Sequence, residues 1–223
     1  MESSNRVTPV PSNTNTRRLR VAQGLVLLFH ITGFLGLAFS DNPEFYQEFT
    51  PLTLILTALL LLAFQPGRNA AFWSFCFTVS LMGYMAEVVG VHTGKFFGHY
   101  TYGDTLGLKV LSVPLLIGLN WLVLTYVCGN LAHYLPLPQL ARILLGALLM
   151  VGFDLCLEPV ASTYDFWHWS AGVIPFQNFR DWFIFSCLLQ VLFVRAGFKK
   201  HNKLAPLVYL VQLLFFFFLG SLQ

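Results

Sequence analysis

Three carboxyl groups stand where an apolar chain has least use for charge. Glu87 lies in FTVSLMGYMAEVVGVHTG, about one turn before an apolar run ends. Asp154 and Glu158 lie four apart in GFDLCLEPVASTYDFWHW, which puts them on one face of a helix. An ionisable side chain within a membrane helix costs about 2.5–3.5 kcal/mol on insertion scales, so such groups face protein or water and mark sites. Two carboxyls crowded at a membrane boundary repel, and one of them keeps a proton near neutral pH. That is the raw material of general acid catalysis. The plainer alternatives are a Glu87 side chain reaching outward to His92 or Lys95, and a pair of solvated acids at a helix end.

Two loops add aromatic surface to the acids. HTGKFFGHYTYGDTLGLK (92–109) is punctuated by glycine, and ASTYDFWHWSAGVIPFQNFRDW (161–182) is richer still in rings. Trp and Tyr belts are ordinary at membrane interfaces. Tyr164, Asp165, Trp167, His168 and Trp169 within one short stretch exceed what anchoring requires.

The elements that position these groups follow from composition. Of 223 residues, 56% are hydrophobic, 23 are phenylalanine and only 10% are charged, where soluble domains carry about 25% charge. The fold expected is all-α, a polytopic membrane bundle of about seven transmembrane helices. Apolar segments run at 19–39, 49–64, 70–91, 109–133, 138–157, 180–197 and 204–222, several reaching the roughly 20 residues a bilayer demands. Residues 1–18 read as a disordered cytoplasmic tail and 19–223 as the membrane domain. The first segment is long for the apolar core of a signal peptide, so it is expected to be retained. Thr50-Pro51 and Ala205-Pro206 mark helix starts. Pro114 is expected to kink the fourth segment and Pro159 to stop the fifth.

Charge orients the bundle. With seven spans and the N-terminus inside, ten of the thirteen basic residues fall on the cytoplasmic side, and Lys95, Lys109 and Arg180 on the other. Every Asp and Glu except Glu2 falls on or near the outer side. The topology rule does not require that, so a site on the non-cytoplasmic face of the cell (inner) membrane is expected.

Several chemistries are excluded by missing motifs. No HxxxH pair is present for a histidine-rich di-iron hydroxylase. Asp154-x-x-x-Glu158 has no second aspartate-rich partner to clamp a metal diphosphate. LAPLVYLVQLLFFFFLG has no lysine for a retinal Schiff base, and no Gly-rich nucleotide loop occurs. The four cysteines stand singly in apolar runs, as small membrane-core residues do. No cofactor, metal or nucleic acid is expected.

EVVGVHTGKFFGHYTYGDTLGLKVLSVPLLIGLNW (87–121), FDLCLEPVASTYDFWHW (153–169) and IPFQNFRDWF (174–183) resemble the carotenoid hydratase family of bisanhydrobacterioruberin hydratases and γ-carotene 1′-hydroxylating enzymes. The E-x-x-G-x-x-T-G-x-x-F-G-x-Y pattern at Glu87–Tyr100 and the later D-x-x-x-E-P carry the likeness, over about residues 70–185. Arg180-Asp181 stands where a small residue would be expected before Trp182. The resemblance implies hydration of a terminal acyclic isoprenoid double bond to a tertiary alcohol through a tertiary carbocation. Its substrate would be γ-carotene, lycopene or a C50 carotenoid, with water and the lipid bilayer as the other partners. Association with other enzymes of the carotenoid pathway would follow. Glu87 or Asp154 would donate the proton, Glu158 would orient water, and Asp165 or His92 would support them. Tyr84, Phe97, Tyr100, Tyr102, Trp121, Tyr164, Trp167, Trp169, Asn178 and Trp182 would line the substrate. The pocket would open toward the outer interface between the third and fifth helices. A seven-helix transporter and a carotenoid-binding protein without catalysis are the competing readings. A transporter would more often bury its acids at the midplane between repeated halves, and no repeat is visible here.

Overall fold

The computed structural model describes residues 13–222. Helix α1 spans Asn13–Phe39, and a short α2 (Pro43–Gln47) leads into α3 (Thr50–Ala63). Then follow α4 (Ala70–Thr93), α5 (Leu116–Tyr134), α6 (Gln139–Ala161), α7 (Phe176–Arg195) and α8 (Ala205–Ser221). The chain is mostly helical, as expected, but its loops contain two small antiparallel pairs. β1 (Tyr100–Tyr102) pairs with β4 (Trp167–Trp169), and β2 (Lys109–Val110) with β3 (Val113–Pro114). Helix α1 starts inside the stretch expected to be a tail. The rest of that expectation falls on residues 1–12, outside the described residues.

Among the described residues, five stretches are long and apolar enough to cross a membrane: Thr16–Phe39, Pro43–Ala63, Ala70–Thr93, Leu116–Tyr134 and Gln139–Ala161. Helix α8 is apolar but has 17 residues, and α7 carries Arg180, Asp181 and Arg195 among its 20. Large apolar side chains lie on the outside, Phe77 at 70% exposure and Leu148 at 57%. Lipid solvates such a surface and water does not.

Local chemistry explains the boundaries. Pro51 and Pro206 open α3 and α8, where a missing N–H costs nothing. Asn69 caps α4, its side chain accepting from the Phe72 N–H at 3.0 Å, and Gly94 ends α4 in the left-handed conformation at φ 62°. Two proline expectations are corrected. Pro114 kinks no helix, because residues 109–114 form the β2–β3 hairpin and α5 begins only at Leu116. Pro159 does not stop α6, which runs on to Ala161; a proline in a last turn forfeits one bond and leaves the rest.

Successive long helices run between the same two ends of the bundle. Leu37 of α1 and Tyr164, just past α6, meet at one end, where the Tyr164 hydroxyl points at the Leu37 carbonyl at 3.5 Å. Gln65 after α3 and Lys199 after α7 meet at the other, at 2.7 Å. Helices α4 and α6 therefore end, and α5 and α7 begin, on the side that carries the 94–115 and 162–175 loops. Every described Asp and Glu lies at that end or within about two helical turns of it. Helix α5 is the hub, packed against α3, α4, α6, α7 and α8. Glycines bring α4 and α5 together: a Cβ at Gly83 would sit 2.4 Å from Trp121 Cβ, and one at Gly118 2.7 Å from the Ser80 carbonyl.

Candidate active site

Glu87 lies on the inner face of α4, 5% exposed. Three donors converge on it. The Tyr100 and Tyr102 hydroxyls donate to Oε2, the latter at 2.8 Å, and the Trp121 indole N–H donates to Oε1 at 2.9 Å. Gly90, three residues on, leaves the gap that Tyr100 uses; a Cβ there would meet the Tyr100 hydroxyl at 2.7 Å. That gives the Glu-x-x-Gly spacing a physical reason.

Glu158 has a matching set of donors. The Trp169 indole donates to Oε2 at 2.8 Å and the Trp167 indole at 3.2 Å, while Asn178 Nδ2 donates to Oε1 at 3.0 Å. The same Asn178 nitrogen donates to Asp154 Oδ2 at 2.9 Å. Asp154 is fully buried, and its Oδ1 has no hydrogen-bond partner among the described residues. One amide thus serves two carboxyl groups. None of the described ion pairs involves Glu87, Asp154 or Glu158.

The loops deliver these donors as a ribbon. Side chains two apart on a strand share a face, so Tyr100 and Tyr102 on β1 stand beside Trp169 and Trp167 on β4, in the register Tyr100 opposite Trp169 and Tyr102 opposite Trp167. The tyrosines reach Glu87 and the tryptophans reach Glu158. Asp165 shapes the turn before β4, at φ 52°, a conformation Asp tolerates better than most residues. Its Oδ2 accepts from the Asp104 N–H at 2.6 Å, and His168 Nε2 lies 2.7 Å from its Oδ1. The His168 hydrogen bond holds the Asp165 carboxyl below the usual carboxylate range, against the opposing effect of partial burial.

Asp181, on α7, is the carboxylate that sequence reasoning left unassigned. It accepts from the Phe97 N–H at 3.0 Å and pairs with Arg180 at 2.8 Å. Phe97 sits at φ 63°, a strained setting for a bulky residue, and the Asp181 bond fixes it there. Its ring then packs near Trp121 and Trp182, which stack on each other with centroids 4.1 Å apart.

Two cavities meet at this end. The smaller, about 20 Å³ counted as space open to the centre of a water molecule, holds about one water. Glu87 and Glu158 both open on it, walled by Phe97, Tyr100, Tyr102, Trp121, Trp167, Trp169, Asn178 and Trp182. The larger, about 530 Å³ by the same measure, lies among α1, α2, α3, α5, α6 and α8 and is overwhelmingly apolar. Ile117, Asn120 and Trp167 line both.

The acid site therefore gathers Glu87, Glu158, Phe97, Tyr100, Tyr102, Trp121, Trp167, Trp169, Asn178 and Trp182 from the sequence candidates. Asp154 stands behind Glu158 and lines neither cavity. Asp165 lies in the 162–175 loop, where it lines neither cavity. His92 is exposed, bonded to the Val88 carbonyl at 2.9 Å. The Tyr84 hydroxyl donates to the Val110 carbonyl at 2.6 Å, away from the site. Tyr164 packs under the loop, its carbonyl accepting from Thr105. The larger cavity is walled by α1, α2, α3, α5, α6 and α8, whereas the smaller one takes Glu87 from α4 and Glu158 from α6, the third and fifth long helices. Asn120 is the polar lining residue that sequence reasoning passed over; an Asn set among apolar neighbours in LIGLNWLVL was the available signal.

Residues 49–223 match the carotenoid biosynthesis protein family. Bisanhydrobacterioruberin hydratase of Haloarcula japonica is 30% identical over 145 residues, 57% of this chain and 48% of the relative. The matched region thus spans about half the length of that curated relative. No solved structure matches.

Proposed function

Because the chain belongs to the carotenoid biosynthesis protein family, we propose that it hydrates a terminal acyclic C=C bond of a carotenoid to a tertiary alcohol. The observation that carries this reading is the junction of the cavities: two carboxyl groups face one water-sized, aromatic-walled space beside a substrate-sized apolar one. The larger cavity falls within the 300–1,000 Å³ typical of small-molecule sites. Along α1 it extends from Leu37 to Leu28, roughly 13 Å at 1.5 Å per residue. A bilayer-spanning carotenoid of roughly 30 Å would enter by one end only.

The chemistry follows from the hydrogen bonds. Asp154 and Glu158 share one amide and face no cation, so both cannot be charged in that burial. The pair holds a proton, and Glu158 is its member that opens on the cavity. Glu158 gives that proton to the less substituted alkene carbon, and the π bond becomes a C–H bond and a tertiary cation. The surrounding indole and phenol rings stabilise the cation, at about 0.5–2 kcal/mol for each well-placed face. Water adds to the cation and loses a proton to Glu87, whose carboxylate is held by three donors. Return of that proton to Glu158 through the shared space resets the pair.

Membranes containing the protein, supplied with γ-carotene, lycopene or a C50 carotenoid, should yield a product one water heavier, its oxygen drawn from labelled water and its formation unaffected by anaerobiosis. Glu87→Gln and Glu158→Gln should each lower the yield by about two to four orders of magnitude. Label arriving from molecular oxygen, or full turnover in both variants, would refute the reading.

A further inference from the structure

Asn120 stands on the wall common to both cavities, on the second turn of α5 and next to the tryptophan that holds Glu87. It is half-buried, and its amide has no hydrogen-bond partner among the described residues. The other asparagines whose side chains are described are all engaged. Asn42 and Asn69 cap helices, and Asn178 donates to two carboxyl groups. Asn130 donates to the Tyr126 carbonyl and accepts from the His201 and Asn202 N–H groups. Asn202 donates to the Leu61 carbonyl and the Tyr126 hydroxyl. A side-chain amide offers two donors and two acceptor sites, and leaving them unpaired in apolar surroundings is costly. Leu116 and Ile117, one turn earlier on the same helix, show what this cavity wall otherwise consists of.

We infer that Asn120 is the positioning residue for the attacking water, holding it at the boundary between the apolar cavity and the two glutamates. The inference rests on the hydration reading above. A tertiary cation has two exits. Water can add to it, forming the C–O bond and passing a proton to a carboxylate. Alternatively a C–H bond next to the cationic carbon breaks, its proton returns to a carboxylate, and the alkene is restored. A water held in place at the moment the cation forms selects the first exit. An enzyme without that hold would still make the cation and would lose it by the second.

Heavy water separates the two exits. Membranes carrying the wild-type chain, Asn120→Leu or Asn120→Ser are incubated with the carotenoid in D2O, and both hydrate and deuterium in the recovered alkene are measured. Leucine matches asparagine in size and suits an apolar helix, so membrane abundance should hold. In Asn120→Leu, hydrate should fall about tenfold or more, the worth of one good hydrogen bond, while deuterium in recovered alkene persists or rises. Asn120→Ser keeps a hydroxyl and should recover part of the hydrate. Parallel loss of hydrate and deuterium in Asn120→Leu would overturn the assignment, since it would place Asn120 in proton delivery or in packing. Unchanged hydrate would overturn it too. A wild-type chain giving neither hydrate nor deuterated alkene would instead refute the hydration reading itself.

Discussion

Gly83→Ala should disable the site without removing any group that does chemistry. The added Cβ would lie 2.4 Å from Trp121 Cβ and 2.5 Å from its Cγ. Ordinary contact begins near 3.4 Å, so the tryptophan must retreat by about 1 Å. Its indole N–H now sits 2.9 Å from Glu87 Oε1; a retreat of that size takes it beyond hydrogen-bonding range. Losing one bond to a charged acceptor costs about 1.5–3 kcal/mol, which predicts a fall in hydration of about ten- to 150-fold. Overpacking should cost the fold only about 1–3 kcal/mol, so the protein should still reach the membrane. Turnover per molecule of membrane protein is the assay, with Gly24→Ala as the control, because nothing lies within 4 Å of a Cβ there. Trp121→Phe removes the same N–H without crowding. The two changes should therefore be non-additive when combined. Wild-type turnover in Gly83→Ala, or full additivity with Trp121→Phe, would refute the idea that Gly83 acts through the indole.

Two further predictions concern the loop end. Single cysteines at Ser162 and at Lys203, in a chain whose four native cysteines are replaced, should differ toward an impermeant thiol reagent on intact cells: Ser162 reacts and Lys203 does not, since nine of the twelve described basic residues lie toward the Lys203 end. The reverse pattern would place the acids on the cytoplasmic face. The Asp165 lock should respond to acid. Its folded carboxyl titrates below the unfolded value, chiefly because of His168, so its contribution is complete above about pH 3.9 and fades as pH falls through the lower folded value. Protection of the 162–170 amides, measured as exchange relative to the intrinsic rate at each pH, should fall below about pH 4 in the wild type and show no such step in Asp165→Asn. An identical step in both would contradict the assignment.

How much of this was legible in the sequence depended on whether a signal was periodic or relational. The apolar runs and helix-starting prolines are local signals, and α3, α4 and α8 appear where they are expected. The glutamates were legible because charge within an apolar helix has few other reasons. The β1–β4 ribbon was not, since 65 residues separate Tyr102 from Trp167 and only folding brings them together. Nor was the separation of Asp154 from Glu158: four-residue spacing puts both on one face, but it does not say that Asn178 on another helix would cover the deeper one. Pro114 misled because an apolar run continues through the 109–114 hairpin without a break in composition. Gly90 and Gly83 were visible as residues but mute as causes, because their meaning lies in the Tyr100 and Trp121 side chains that occupy the space they leave.

The opposite end of the bundle shows why buried polarity alone does not make a site. Tyr126, Gln65, Asn130 and Asn202 form a network as dense as the one around Glu87. Tyr126 donates to Gln65, which donates on to the Gly67 and Lys199 carbonyls. Asn130 and Asn202 bind the backbone of the 201–204 turn and each other's neighbourhoods. Those partners are mostly backbone carbonyls and N–H groups, and the network's net effect is to pin the connection between α7 and α8. No carboxyl group belongs to it. At the loop end, the donors are side chains, the acceptors are carboxylates, and the cluster opens on a cavity that shares a wall with an apolar one. A fully satisfied network rigidifies a fold; chemistry needs a group left with capacity to spare, facing a space that a substrate can enter. Asn120, its amide unpaired on the wall shared with the apolar cavity, meets that condition, and nothing among the described residues at the other end does.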